Sequence, residues 1–175
     1  MNSRSLIIVL IAVLAAISGI YARYWWADAA LRPDAEIVDF QLPDSNGNLH
    51  ALSEWRGKTL VVNFWASWCG PCLREIPEFI QMQQDLQDKG VQFIGVAVED
   101  KQPVLDYLQR VSVNYPVLIA GDAGMSLAYK LGNIINAVPY TVVVNAGGHI
   151  AHRQPGELSR AKLLSVIEPV MAQNP

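Results

Sequence analysis

The chain has 175 residues, 51% of them hydrophobic, a formal net charge of −3 and two cysteines. That length fits one domain plus an appendage, with enough apolar residues for a real core. The mild acidity and the absence of any Lys/Arg run exclude the basic footprint of a nucleic-acid binder.

The excess apolarity sits at the N-terminus, where Leu6 to Ala22 carries no charge. As a helix this run spans roughly 25 Å, a little under the ~30 Å hydrocarbon core of a bilayer. Tyr21, Tyr24, Trp25 and Trp26 follow it as an interfacial belt would, and Arg4 with no acid ahead of the run favours a cytoplasmic N-terminus. The expectation is an uncleaved single-pass anchor over residues 1–26 in the inner (cytoplasmic) membrane, with the remainder exported to an oxidising compartment. The competing reading is a signal peptide cut near Ala27-Asp28-Ala29. Either way, residues 27–35 read as a tether and residues 36–175 as the domain.

Within the domain, apolar Ile37, Phe40 and Leu42 and then Leu49 and Leu52 flank Asp44-Ser45-Asn46-Gly47-Asn48, a hairpin signal. Ser53 to Gly57 reads as one helical turn. Thr59 to Ala66 is an apolar, β-branched run, as expected of a strand buried on both faces. From Pro71 to Lys89, Leu73, Ile76, Phe79, Ile80, Met82 and Leu86 recur at helical spacing; Gly90 ends the helix and Pro77 is expected to kink it. Val91 to Val98 is a second buried strand, Lys101 to Val111 a helix, Tyr115 to Ala120 a short strand and Gly124 to Leu131 a short helix. Tyr140 to Val144 and His149 to Gln154 form a hairpin about Asn145-Ala146-Gly147-Gly148. Ser159 caps a last helix, Arg160 to Met171, which Pro169 should bend or fray. This alternation predicts an α/β fold with a parallel central sheet and an antiparallel edge.

Cys69 and Cys72 are two residues apart, and three readings compete. A zinc site needs four ligands, and His50, His149 and His152 show no finger spacing. A structural staple closing so small a loop removes little chain entropy. A redox pair has a mechanism: Cys69 follows a buried strand and opens a helix, whose free N–H groups and dipole favour a thiolate. Pro71 costs nothing in that first turn. Cys72, one turn on, is placed to attack a mixed disulfide on Cys69, which makes Cys69 the exposed nucleophile and Cys72 the shielded resolver. Trp68 is expected to pack beside Cys69 and shield it, and Trp65 to belong to the core.

Phe64 to Cys72, FWASWCGPC, with Pro77 five residues past the second cysteine, resembles thioredoxin, and the likeness covers roughly Glu36 to Met171. Ala137-Val138-Pro139 before a strand strengthens it. The resemblance implies a thioredoxin-like fold, a central mixed sheet flanked by helices with an extra N-terminal hairpin. It also implies a cis Pro139 beside the cysteines and a Val138 backbone that pairs with substrate. With Trp68, Gly70 and Pro71, these two residues form the expected client-contacting rim. The anchor, the hairpin running into Leu52 to Lys58, and VVNFWASWCGPC are closest to the TlpA/ResA/CcmG-like group, membrane-anchored thiol–disulfide oxidoreductases that need no cofactor. One departure from thioredoxin is Asn63, which stands where that family keeps a buried acid. An amide cannot move a proton. The TlpA-like group instead resembles this chain in having Glu75, which at i+3 can approach Cys72 and exchange its proton. Glu99, at a strand end, is a weaker candidate that reads better as a cap or a solvated acid.

Gly70-Pro71 between the cysteines matches the reducing members of the superfamily. The implied function is reduction of specific protein disulfides, in apocytochrome c or a metallochaperone, with electrons from a membrane donor of the DsbD/CcdA type. The alternatives are an oxidase or isomerase of the same fold, a thiol peroxidase, and a non-catalytic peptide-binding module. The peroxidase pattern Pro-x-x-x-Thr-x-x-Cys meets Val62 and Ala66 where Pro and Thr should stand.

Overall fold

The computed structural model describes residues 11–20 and 35–172. The chain divides into two units, Met1–Arg32 and Pro33–Pro175. In the first, residues 11–20 form a helix, α1, with outward-facing side chains that include Ile11, Leu14 and Ile20. Among the described residues no helix is long and apolar enough to cross a membrane. Most of the expected anchor, its aromatic belt, the Ala27-Asp28-Ala29 site and nearly all of the tether lie outside the described residues.

The second unit is built on a five-stranded sheet. Its strands are β3 (Thr59–Trp65), β4 (Val91–Ala97), β5 (Val117–Ile119), β6 (Tyr140–Val144) and β7 (Ile150–Pro155), in the spatial order β5-β4-β3-β6-β7. The β3–β4 and β4–β5 pairs are parallel, while β3–β6 and β6–β7 are antiparallel. The sheet is therefore mixed, with the expected antiparallel edge. Every residue of β3 and β6 is buried, as their largely apolar, β-branched runs favour, and Thr59, Asn63 and Thr141 are buried with them. A separate hairpin, β1 (Gln41–Pro43) with β2 (Leu49–Ala51), turns through Asp44, whose Oδ1 accepts the N–H groups of Asn46 and Asn48 at 2.8 Å.

The helices are α2 (Gly70–Leu86), α3 (Lys101–Leu108), α4 (Ala123–Lys130) and α5 (Arg160–Ala172). On one face of the sheet, Phe93 packs on Phe79 of α2, and Trp65 packs on Tyr107 of α3 with ring centroids 5.2 Å apart. Gly95 makes room for that indole: a Cβ there would stand 3.1 Å from Trp65 Nε1. Phe64 points to the opposite face and packs against Tyr140, whose hydroxyl donates to the carbonyl of Leu131 just past α4.

The boundaries differ from expectation in small ways. The helix after the cysteines starts at Gly70 and tightens into a 3-10 turn over Gln87–Lys89 before left-handed Gly90. Pro77 lies inside that helix with its ring exposed. The α3 helix stops at Leu108 rather than Val111, and β5 is only Val117–Ile119. The α5 helix carries Pro169 and continues to Ala172. Its Ser159 accepts the Lys162 N–H as an N-cap should.

Candidate active site

The site forms where β3 ends. The chain leaves Trp65 and turns so that the Cys69 N–H donates to the Ala66 carbonyl. Cys69 then becomes the N-cap of α2. Its backbone is extended, its carbonyl accepts the Leu73 N–H, and its sulfur accepts the Cys72 N–H at 3.3 Å. A sulfur in the capping position receives an otherwise orphaned helix N–H and sits at the positive end of the dipole, and both effects favour its anion. Pro71, second in the helix, removes an N–H that has no intrahelical use. Cys69 and Cys72 are joined by a disulfide with their Cα atoms 5.3 Å apart, so the pair is present in its oxidised form.

Cys72 is fully buried, as a resolver should be. Cys69 is only 5% exposed, less than an open nucleophile was expected to be, because its sulfur lies against the chain before Pro139. The Val138–Pro139 peptide bond is cis, as the resemblance implied, and the Cys69 sulfur lies 3.7 Å from the Val138 carbonyl oxygen. Antiparallel pairing accounts for this meeting. Tyr140 at the start of β6 stands opposite Phe64 near the end of β3, so the residues before β6 arrive beside those after β3. Trp68 departs from expectation. It is 69% exposed rather than packed down as a shield, whereas Trp65 is in the core.

Glu75 is buried, with 2% exposure. One carboxylate oxygen accepts the backbone N–H of Leu158, and the other lies 3.5 Å from Asn63 Nδ2. Asn63 donates chiefly to Thr141 Oγ1, at 3.0 Å. Burial raises the Glu75 pKa to about 7; the nearby Glu157 adds to the rise, while the Leu158 N–H, Asn63 and Arg74 oppose it. A carboxyl whose pKa is lifted towards neutrality can both take and return a proton. As a helix residue three on from Cys72, it shares that cysteine's face.

The loop 156–159 closes the outer side of this carboxyl. Arg74 donates from Nε to Glu157 at 3.1 Å, Leu158 reaches Glu75, and the Arg160 N–H donates to Glu78 at 2.7 Å. Glu99 has a different task. Its two oxygens accept the Ser67 N–H and the Ser67 hydroxyl, the latter at 3.0 Å, which pins the residue two before Cys69. It is a cap, the reading its position at a strand end favoured. Sequence reasoning missed the Leu158 amide, Ser67 and Thr141. Of these only Thr141 left a signal, two residues past the Pro139 that the resemblance set beside the cysteines. Among the described residues no three His, Cys, Asp or Glu side chains gather where a metal ion could be held.

The Redoxin family model matches residues 32–167. The thiol-disulfide oxidoreductase ResA of Geobacillus thermodenitrificans is 28% identical over 165 residues, covering 93% of this chain and 92% of the relative. The ResA protein of Halalkalibacterium halodurans is 30% identical over 146 residues, covering 82% and 81%. Among solved structures, a thiol:disulfide interchange protein of the thioredoxin family from Chlorobium tepidum is similar with a TM-score of 0.69. It is 28% identical, and the match covers 79% of this chain and 97% of that one. The chain therefore belongs to the Redoxin family, and within the thioredoxin superfamily it is a TlpA/ResA/CcmG-like thiol–disulfide oxidoreductase.

Proposed function

We propose that this protein is a reductant of specific disulfides in exported client proteins, held at the membrane by the apolar run from Leu6 to Ala22 with its catalytic domain on the far side. The observation that carries the proposal is the placement of Cys69. It caps α2 with its sulfur against Val138, while the raised-pKa carboxyl of Glu75 lies one turn past Cys72.

The reaction runs in two exchanges. The Cys69 thiolate attacks one sulfur of the client disulfide; a mixed disulfide forms, the client S–S bond breaks, and the leaving client sulfur takes a proton. Glu75 then accepts the Cys72 proton, the Cys72 thiolate attacks Cys69, and the client leaves with its second thiol. Two electrons have passed to the client, and the protein is left with the Cys69–Cys72 disulfide. A membrane donor of the DsbD/CcdA type restores the dithiol, because the exported compartment itself drives thiols towards oxidation. The Gly70-Pro71 pair supports the reducing direction. Apocytochrome c or a metallochaperone fits as client.

The test is a Cys72→Ala variant, which should hold clients on Cys69 as mixed disulfides that mass spectrometry can identify. A measured reduction potential near that of the oxidant DsbA, about −120 mV, would falsify the reducing direction.

A further inference from the structure

Of the domain's exposed large apolar residues, Val38, Leu49 and Tyr129 lie elsewhere, while three lie on the two segments that meet at Cys69. Trp68 is 69% exposed, Ile134 64% and Ile135 61%. The two isoleucines sit on the loop 132–138 that leads into Pro139. That loop is built rather than slack. Asn133, almost fully buried, donates from Nδ2 to the Ala137 carbonyl at 2.8 Å and accepts the Ala137 N–H, and the Asn136 N–H donates to the Asn133 carbonyl. Asn136 takes a left-handed φ of 52°, which asparagine tolerates better than most residues, and so closes the turn. The clamp therefore fixes Ile134 and Ile135 in solvent, just upstream of the Val138 carbonyl that touches Cys69. Neither meeting segment, Ala66 to Leu73 nor Gly132 to Tyr140, contains a charged residue.

We infer that Ile134 and Ile135 are specificity-determining residues: they receive apolar side chains of a client segment lying extended past Cys69, so the enzyme selects disulfides with apolar, uncharged flanks. This rests on the proposed reductase reading. The client sulfur must reach Cys69, and a chain that passes Val138 to do so continues over the Asn133 loop. A fixed loop loses no conformational freedom on binding, so its apolar contact converts to affinity with little ordering cost. Clients with acidic or basic residues next to the cystine would have to desolvate those charges against isoleucine.

The test uses the pre-reduced full-length chain and two synthetic peptides, each with one internal disulfide. One has Val, Leu and Phe beside its cysteines, the other Ser and Glu. Reduction rates are expressed relative to hydroxyethyl disulfide, which has no chain to lay on the loop. The wild type should favour the apolar peptide by about tenfold, which corresponds to ~55 Å² of extra buried apolar surface at ~25 cal/mol per Å². An Ile134→Ser/Ile135→Ser variant should fall to within twofold of parity, while Leu49→Ser, an equally exposed site on β2, should keep the preference. Equal treatment of the two peptides by the wild type, or a preference that survives the double change, overturns the inference and leaves the reductase reading standing. Reduction of hydroxyethyl disulfide with neither peptide touched overturns both. Wild-type self-association that the double change abolishes assigns the patch to a second copy and likewise overturns the inference.

Discussion

Glu75 and Glu99 both follow the cysteine loop in the sequence and do opposite work. Glu99 spends both oxygens on one residue, accepting the N–H and hydroxyl of Ser67. Glu75 receives one backbone N–H and a distant amide, and is otherwise surrounded by the core. The first arrangement uses a carboxylate as a fastener. The second withholds solvation from a carboxyl and so makes its proton easy to move. Position near a redox pair does not decide which acid carries a proton; the supply of donors does.

Glu75→Gln is expected to break the comparison most severely. It keeps the shape and removes the titration, so the Cys72 step should slow by about 100-fold, and the rise of rate with pH near 7 should disappear in a stopped-flow profile. Stability should change in the same variant. The folded-state pKa of Glu75 lies above the usual carboxyl value of 4.5, so the folded wild type binds more protons than the unfolded chain between about 4.5 and 7. Stability supplied by the protonated form is full below 4.5 and is lost as pH rises through 7. Denaturant titrations should therefore show Glu75→Gln gaining on the wild type across that window, by about 3 kcal/mol. A constant difference between the two proteins would remove Glu75 as a buried titrating group.

Asn63→Asp sharpens the contrast from the other side. It restores an acid to the position thioredoxin keeps acidic and sets it against Glu75. Two carboxyls so close share a proton, so the upper midpoint of the pH–rate profile should move above 7 and titrate as a pair. Glu99→Gln should leave the shape of that profile alone and cost about 1–2 kcal/mol in thermal or chemical unfolding, since one charged acceptor at Ser67 is replaced by a neutral one. A shifted profile in Glu99→Gln would show the two acids to be less distinct than their partners suggest. Arg74→Ala should have the smallest effect. Its ion pair with Glu157 is exposed and adds little to stability, but loss of its charge should nudge the Glu75 midpoint upward, an effect visible by NMR titration.

The architecture is legible in the chain because its signals are local. Val61 and Val62 in an unbroken apolar run, the 3.6-residue spacing of Ile76, Phe79, Met82 and Leu86, and Gly47 and Gly90 at turns each act over a few residues. The cysteine pair and cis Pro139 are legible because WCGPC and the Val-Pro before a β-branched strand are short, specific words. What escapes such reading is the meeting of distant parts. Glu75 is a plain helix acid until the Leu158 amide, 83 positions later, is brought to it. Asn63 shows what it lacks in the sequence, yet its bond to Thr141 exists only through β3–β6 register. The near-burial of Cys69 and the exposure of Trp68 reverse expectation for the same reason. The cover over the sulfur comes from Val138, not from the neighbouring indole.

That dependence on β6 governs how the protein can be made. A chain synthesised only as far as β5 already carries both cysteines and all of α2, but it has neither the Val138 carbonyl against Cys69 nor the Leu158 amide on Glu75. Its thiols are those of an unfinished helix start. Competence arrives with the last third of the chain, when Tyr140–Val144 zips onto β3. Sulfur chemistry that relies on the Val138 carbonyl and the Leu158 amide therefore waits until the fold is complete.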